Sequence, residues 1–215
     1  MKKLHYDLKN EKVHYLLQTD ETLKKLISYI QESELIIEED GFKCIIKYII
    51  GQQISDKARE TIWLRICNTY GNLTPKKTLM IKDEDMRNIG LSQRKVEYIK
   101  NLATAVYNKY IDFNKFSNLS NEEIIEKLTK IKGIGRWTAE MYLIFSLGRE
   151  NVLSKGDGTV KRTLQWMYNL EELPTPSQVE IFFEKWKDFA TIVSSYLWKS
   201  IELDLTSKPF EEVIK

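Results

Sequence analysis

The chain has 215 residues, of which 42% are apolar and 11% aromatic, enough to bury a sizeable core in one large domain or two small helical lobes. Two cysteines, Cys44 and Cys67, exclude a four-cysteine iron-sulfur cluster or zinc site, and two histidines, His5 and His14, exclude a histidine-rich metal site. The net charge of +2 says little by itself about nucleic acid. The opening Met1-Lys2-Lys3-Leu4-His5-Tyr6-Asp7 lacks an apolar signal core, and no run approaches transmembrane length, so a soluble, cytoplasmic protein without membrane partners is expected.

Helical periodicity runs from end to end, including the first 40 residues, and no convincing strand alternation interrupts it. Asp20 caps a helix whose Leu23, Leu26, Ile27 and Ile30 share one stripe. Phe42, Ile45, Ile46, Ile49 and Ile50 recur at the spacing of a buried helical face. Ser55 or Asp56 is placed to cap the next helix, which Gly71 ends, and Thr74-Pro75 opens a short one. A helix follows over Ser92 to Tyr107, then an irregular stretch over Asp112 to Asn118. Ser120 and Glu123 form a capping box, as do Thr175 and Gln178 ahead of a helix carrying Phe182, Phe183 and Trp186. A last helix carries Val193, Tyr196, Leu197, Trp198 and Ile201. The expected fold is all-α and two-lobed, with no N-terminal β domain.

Between two of these helices stands Leu128-Thr129-Lys130-Ile131-Lys132-Gly133-Ile134-Gly135, followed by Arg136-Trp137-Thr138-Ala139. Two glycines around one isoleucine make a tight turn, and the helix that starts there presents backbone N–H groups and the positive end of its dipole to an anion. Lys127, Lys130, Lys132 and Arg136 lie in a ten-residue stretch without an acid, whereas residues 31 to 40 hold five acids and no base. Alone, such clusters read as solvated helix faces. Beside a phosphate-binding turn they supply the salt-dependent part of DNA affinity, and Lys155, Lys161 and Arg162 extend the patch around Asp157.

Asp157, twenty residues after Trp137, lies between Gly156 and Gly158 just ahead of a helical pattern, where an aspartate alone would be read as a cap. Hairpin, glycine-rich loop and aspartate together resemble the helix-hairpin-helix DNA glycosylase superfamily (HhH-GPD), and Gly133-Ile134-Gly135-Arg136-Trp137-Thr138-Ala139 looks most like its 3-methyladenine DNA glycosylase II branch. The resemblance covers about residues 40 to 205. It implies a compact glycosylase unit, with residues 40–118 a helical lobe carrying a DNA wedge and 119–173 the hairpin and catalytic loop. Residues 1–39 and 174–215 would form the second lobe, with hairpin and Asp157 at the junction.

By the same resemblance, Gly51-Gln52-Gln53-Ile54-Ser55 is the segment that enters the DNA stack, with Gln53 as wedge and Gln52 and Ile54 beside it. Trp137, Phe189, Tyr142 and Met141 line the base pocket, and Trp63, Trp166, Trp186 and Trp198 are packing residues. Phosphate is held by Lys132, Gly133, Ile134, Gly135, Arg136, Thr138, Lys161 and Arg162. Trp137 stands where bifunctional members carry a Schiff-base lysine, which implies a monofunctional enzyme that uses water. Asp157 would stabilise the sugar cation and orient that water.

The implied partner is double-stranded DNA with N-alkylated purines such as 3-methyladenine, bound by a monomer. No cofactor or catalytic metal is called for, and whether a monovalent cation bridges hairpin and phosphate stays open. So do the alternatives of a glycosylase for deaminated or mismatched bases and a non-catalytic protein that binds damaged DNA.

Overall fold

The computed structural model describes residues 2–214. Two compact units emerge, one built from the segments up to Ile37 and from Gly148 onward, the other from Glu38–Leu147. The split does not follow the expected partition of the chain. The hairpin packs into the central unit, while Asp157, expected in the same segment as the hairpin, belongs to the terminal unit.

The terminal unit begins with β1 (Lys2–Asp7), α1 (Glu11–Leu16), α2 (Glu21–Ile30) and β2 (Glu32–Ile37). The all-α class holds for the chain, but these two strands form a small antiparallel sheet where helix was expected, with Lys3 opposite Ile36 and Tyr6 opposite Ser33. In β2 every second residue is buried, Ser33, Leu35 and Ile37, while Ile36 faces out. A serine in an inward slot and an isoleucine in an outward one hide the period of two from a hydropathy reading. Asp20 caps α2 as expected, its Oδ1 accepting from the Leu23 amide at 2.7 Å.

The central unit holds α3 (Gly41–Gly51), α4 (Asp56–Tyr70), α5 (Pro75–Met80), α6 (Asp83–Asn88), α7 (Gln93–Tyr107), α8 (Asn121–Thr129) and α9 (Arg136–Phe145). Its centre is α3, which touches α4, α7 and α9. Ile45, Ile46, Ile49 and Ile50 are fully buried, and each such side chain contributes roughly 1.5–3 kcal/mol relative to exposure. Ser55, not Asp56, caps α4, and Ser120 and Glu123 make the reciprocal capping box of α8. The irregular stretch before α8 is a 3-10 helix over Phe113–Asn118.

The terminal unit resumes with α10 (Gly158–Met167), α11 (Pro176–Phe183), α12 (Ala190–Glu202) and α13 (Phe210–Val213). Here α12 is the buried axis, against α2, β2 and α10, and nine of its residues from Ala190 to Ser200 are shielded from solvent. Among the described residues no helix is long and apolar enough to cross a membrane.

Candidate active site and nucleic-acid interface

The hairpin connects α8 to α9 through Lys130–Gly135. Gly133 takes φ +102° and sits so close to Tyr98 of α7 that an added Cβ would fall 2.1 Å from its ring. Only glycine fits there, for conformation and for space. Gly135 has another reason to be glycine, since its φ is −87°, an ordinary value. It is the N-cap of α9, supplies no side-chain acceptor to the first turn, and has nothing within 4 Å of where a Cβ would stand. The start of α9 is thus uncovered by side chain at its cap, the geometry an anion requires.

The surrounding charges are more committed than the sequence implies. Lys132 is exposed but paired with Glu97 at 2.6 Å, which raises its pKa. Arg136 makes a two-pronged contact with Glu122, at 2.6 and 3.1 Å, and a third bond to the buried Glu140 at 3.0 Å. The Glu122 bonds raise the Arg136 pKa, so this guanidinium is first a clamp between α8 and α9. Thr138 turns its side chain inward. It is 1% exposed, and its hydroxyl accepts from Gln52. Ile134 is likewise buried, so only its backbone is on offer. In the other unit, Lys155 pairs with Glu180, Arg162 is exposed and donates to the Thr159 hydroxyl, and Lys161 is half-buried.

The turn between α3 and α4 separates the two glutamines. Gln53 is exposed and holds the left-handed φ of +59°, at the tip of the turn, with Ile54 exposed beside it. Gln52 turns the other way. Its Nε2 donates to the Gly133 carbonyl and to Thr138 Oγ1, both at 3.0 Å, so it is a bracket to the hairpin and not part of a wedge.

Asp157 is the N-cap of α10 and 8% exposed. Its Oδ1 accepts from the Thr159 and Val160 amides, each at 2.9 Å, and from the indole Nε1–H of Trp198 at 3.3 Å. Three donors on one oxygen fix the plane of the carboxylate, and the helix dipole favours its charge. Gly156 and Gly158 flank it, and both are exposed.

The four proposed pocket residues divide. Trp137 is half-buried at the start of α9, its ring edge-on to Tyr48 at 5.9 Å. Tyr48 in turn stacks on Phe145 and carries the Arg59 guanidinium 5.2 Å from its ring centroid. Tyr142 is 1% exposed, between Phe113 and Phe116, and its ring closes on Gly41. Met141 is 2% exposed. Both are core residues of their unit with no face left for a base, which corrects the sequence expectation. Phe189 is half-buried and lies edge-on to the exposed Tyr15 in the terminal unit.

Residues 46–188 match the HhH-GPD superfamily base excision DNA repair protein family. The chain belongs to that superfamily. It is 33% identical over 202 residues to DNA-3-methyladenine glycosylase 1 of Schizosaccharomyces pombe, covering 91% of this chain and 89% of that one. The solved S. pombe 3-methyladenine DNA glycosylase in complex with abasic DNA superimposes with a TM-score of 0.86 at 32% identity, over 90% of this chain and 97% of that chain. The DNA-3-methyladenine glycosidase of Bacillus halodurans does so with 0.81 at 32% identity, over 97% and 98%.

Two residues of this HhH-GPD chain escaped the sequence reading. Trp198, taken for packing, donates to the carboxylate. Tyr48 supports Trp137 from α3, and burial raises its pKa well above the usual phenol value, so it stays neutral. No local signal marks either one, because both sit at helical spacing on otherwise apolar faces.

Proposed function

We propose that the protein is a monofunctional DNA glycosylase that hydrolyses the N-glycosidic bond of N-alkylated purines, 3-methyladenine among them. The likeness to named 3-methyladenine glycosylases over nearly the whole chain supports this substrate class. The fixed carboxylate of Asp157 is the observation that carries the chemistry.

The target nucleotide must leave the stack, at a cost of about a few kcal/mol that is least for a damaged base. The hairpin N–H groups hold a backbone phosphate, and Gln53 fills the gap that extrusion leaves. An N-alkylated purine carries positive charge, so electron-rich ring faces recognise it, and Trp137 and Phe189 serve as such faces. The glycosidic bond of a cationic base breaks without a strong general acid. Asp157 stabilises the oxocarbenium-like sugar as the bond lengthens, then orients the attacking water and takes its proton. Trp137 cannot form a Schiff base with the sugar, so no strand cleavage follows. Hydrolysis of this kind needs no cofactor.

Base release from methylated duplex DNA tests the reading, with 3-methyladenine and 7-methylguanine resolved by chromatography. Release by the wild type that is lost in Asp157→Asn, with DNA binding retained, is expected. Equal release by both proteins overturns the role of Asp157, and a covalent adduct trapped by borohydride overturns the monofunctional assignment.

A further inference from the structure

In the Glu38–Leu147 unit, two turns far apart in sequence are tied together by one side chain. The α3–α4 turn carries the exposed Gln53, and the α8–α9 turn is the hairpin. Gln52 spans from the first to the second, with its amide nitrogen 3.0 Å from the Gly133 carbonyl and 3.0 Å from Thr138 Oγ1. Its own backbone is the C-cap of α3, and the carbonyl two residues earlier, at Ile50, accepts from Lys95 Nζ at 2.6 Å. Burial lowers the Lys95 pKa. Gly51 is buried, and a Cβ there would lie 2.8 Å from Arg59 Cδ, so that side chain would have to shift. The end of α3 is thus gripped from three sides, and the next residue, Gln53, takes the left-handed conformation.

The hairpin is gripped in the same way. Besides Gln52 on the Gly133 carbonyl, Asn101 of α7 donates to the Lys132 carbonyl at 3.1 Å, and Gly133 rests on Tyr98. Two consecutive carbonyls of the turn therefore accept from side-chain amides, one of which belongs to the residue next to Gln53. A hydrogen-bonded amide with both acceptors at normal distance permits little relative motion of the groups it joins.

We propose that Gln52 is a positioning residue that couples the two DNA contacts: phosphate binding at the hairpin fixes the angle at which Gln53 enters the duplex. This rests on the reading of Gln53 as wedge and the hairpin as phosphate site. In this arrangement the wedge is effective only while the strut holds. Without it, Gln53 remains on the surface but is no longer held against the strand that the hairpin has seized.

A double-mutant cycle distinguishes this from a local structural role. Gln52→Met keeps the length of the side chain, removes both donors and adds no charge that would itself repel DNA. Affinity is measured for an undamaged duplex and for one with a stable abasic-site analogue, and the ratio of the two reports the wedge. In the wild-type background Gln53→Ala is expected to lower that ratio about tenfold, and in the Gln52→Met background by less than about twofold, as for residues coupled through one network. The affinity for undamaged duplex is measured in every background, so that any general loss of grip at the hairpin divides out of the ratio.

An equal cost of Gln53→Ala in both backgrounds overturns the coupling. Thermal unfolding accompanies each variant, and Gln52→Ala with the hairpin residues untouched serves as a second background should Gln52→Met fold poorly. Absence of any preference for abasic DNA in the wild type would overturn the wedge reading, and the strut with it. That outcome is distinct from additivity, in which the wedge works and the strut does not.

Discussion

The starts of α9 and α10 make an instructive pair. Each opens a ten-residue helix after a glycine-containing loop, and each presents the positive end of a helix dipole. At α10 the cap is Asp157, whose Oδ1 satisfies the Thr159 and Val160 amides from within the chain. At α9 the cap is Gly135, which contributes no side-chain acceptor and leaves open space where its side chain would be. The same backbone feature thus serves opposite ends. One helix start fixes a carboxylate that belongs to the protein, the other carries no side-chain acceptor and is the proposed seat of a phosphate. The lesson is that a cap residue decides whether a helix terminus is structure or site.

Exchanging or removing the caps breaks this contrast in graded ways. The largest effect is expected from Asp157→Asn, which keeps the shape and loses the charge. Single-turnover base release should fall by at least about 100-fold, the scale on which a charge-stabilising or base group acts. Circular dichroism and duplex affinity should be close to wild type, since an asparagine caps a helix as well as an aspartate does.

Gly133→Ala comes next. Its Cβ would enter the Tyr98 ring and its φ of +102° is strained for any other residue. A loss of about 2 kcal/mol or more in denaturant unfolding is expected, together with weakened DNA binding.

Gly135→Asp sharpens the comparison most, because it gives α9 the cap of α10. The backbone there is extended and the new side chain has room, so stability should change by a few tenths of a kcal/mol at most. Duplex affinity should drop about tenfold as the carboxylate takes the place of the phosphate and repels the strand. An effect of similar size, on kcat and not on affinity, is expected from Trp198→Phe, which removes one donor from Oδ1 and keeps an aromatic ring. A fall in kcat of about tenfold with KM unchanged would mark it as a positioning residue for Asp157, since hydrogen bonds to charged groups are worth about 1.5–3 kcal/mol and this one is long. A pure packing role would instead lower the unfolding midpoint and leave kcat of the folded fraction intact.

How far the sequence discloses this molecule depends on how local the feature is. Helix caps need only a few adjacent residues, so Asp20, Ser120 with Glu123 and Thr175 with Gln178 are legible from the chain alone. The hairpin and the cap position of Asp157 are legible as well, because glycine spacing and a flanked aspartate are local patterns. The β1–β2 sheet is not, since Ser33 fills an inward slot and Ile36 points out, and pairing joins residues about thirty positions apart. Orientation is the other blind spot. Gln52 and Gln53 are chemically identical neighbours, and only the left-handed φ of Gln53 sends one inward and the other out. Tyr142 and Trp137 lie on one helix five residues apart, yet the first is sealed between Phe113 and Phe116 and the second reaches the surface. These differences are set by packing between distant segments, which no local period encodes.

The most direct measurement is single-turnover excision of 3-methyladenine from methylated duplex, by Gly135→Asp and Asp157→Asn side by side, with enzyme raised to saturation. Gly135→Asp should approach the wild-type rate once saturated, because only the grip is impaired, while Asp157→Asn should stay at least about 100-fold slow at any concentration. A Gly135→Asp protein that remains slow at saturation, or an Asp157→Asn protein that recovers, would contradict the division of labour between the two helix starts.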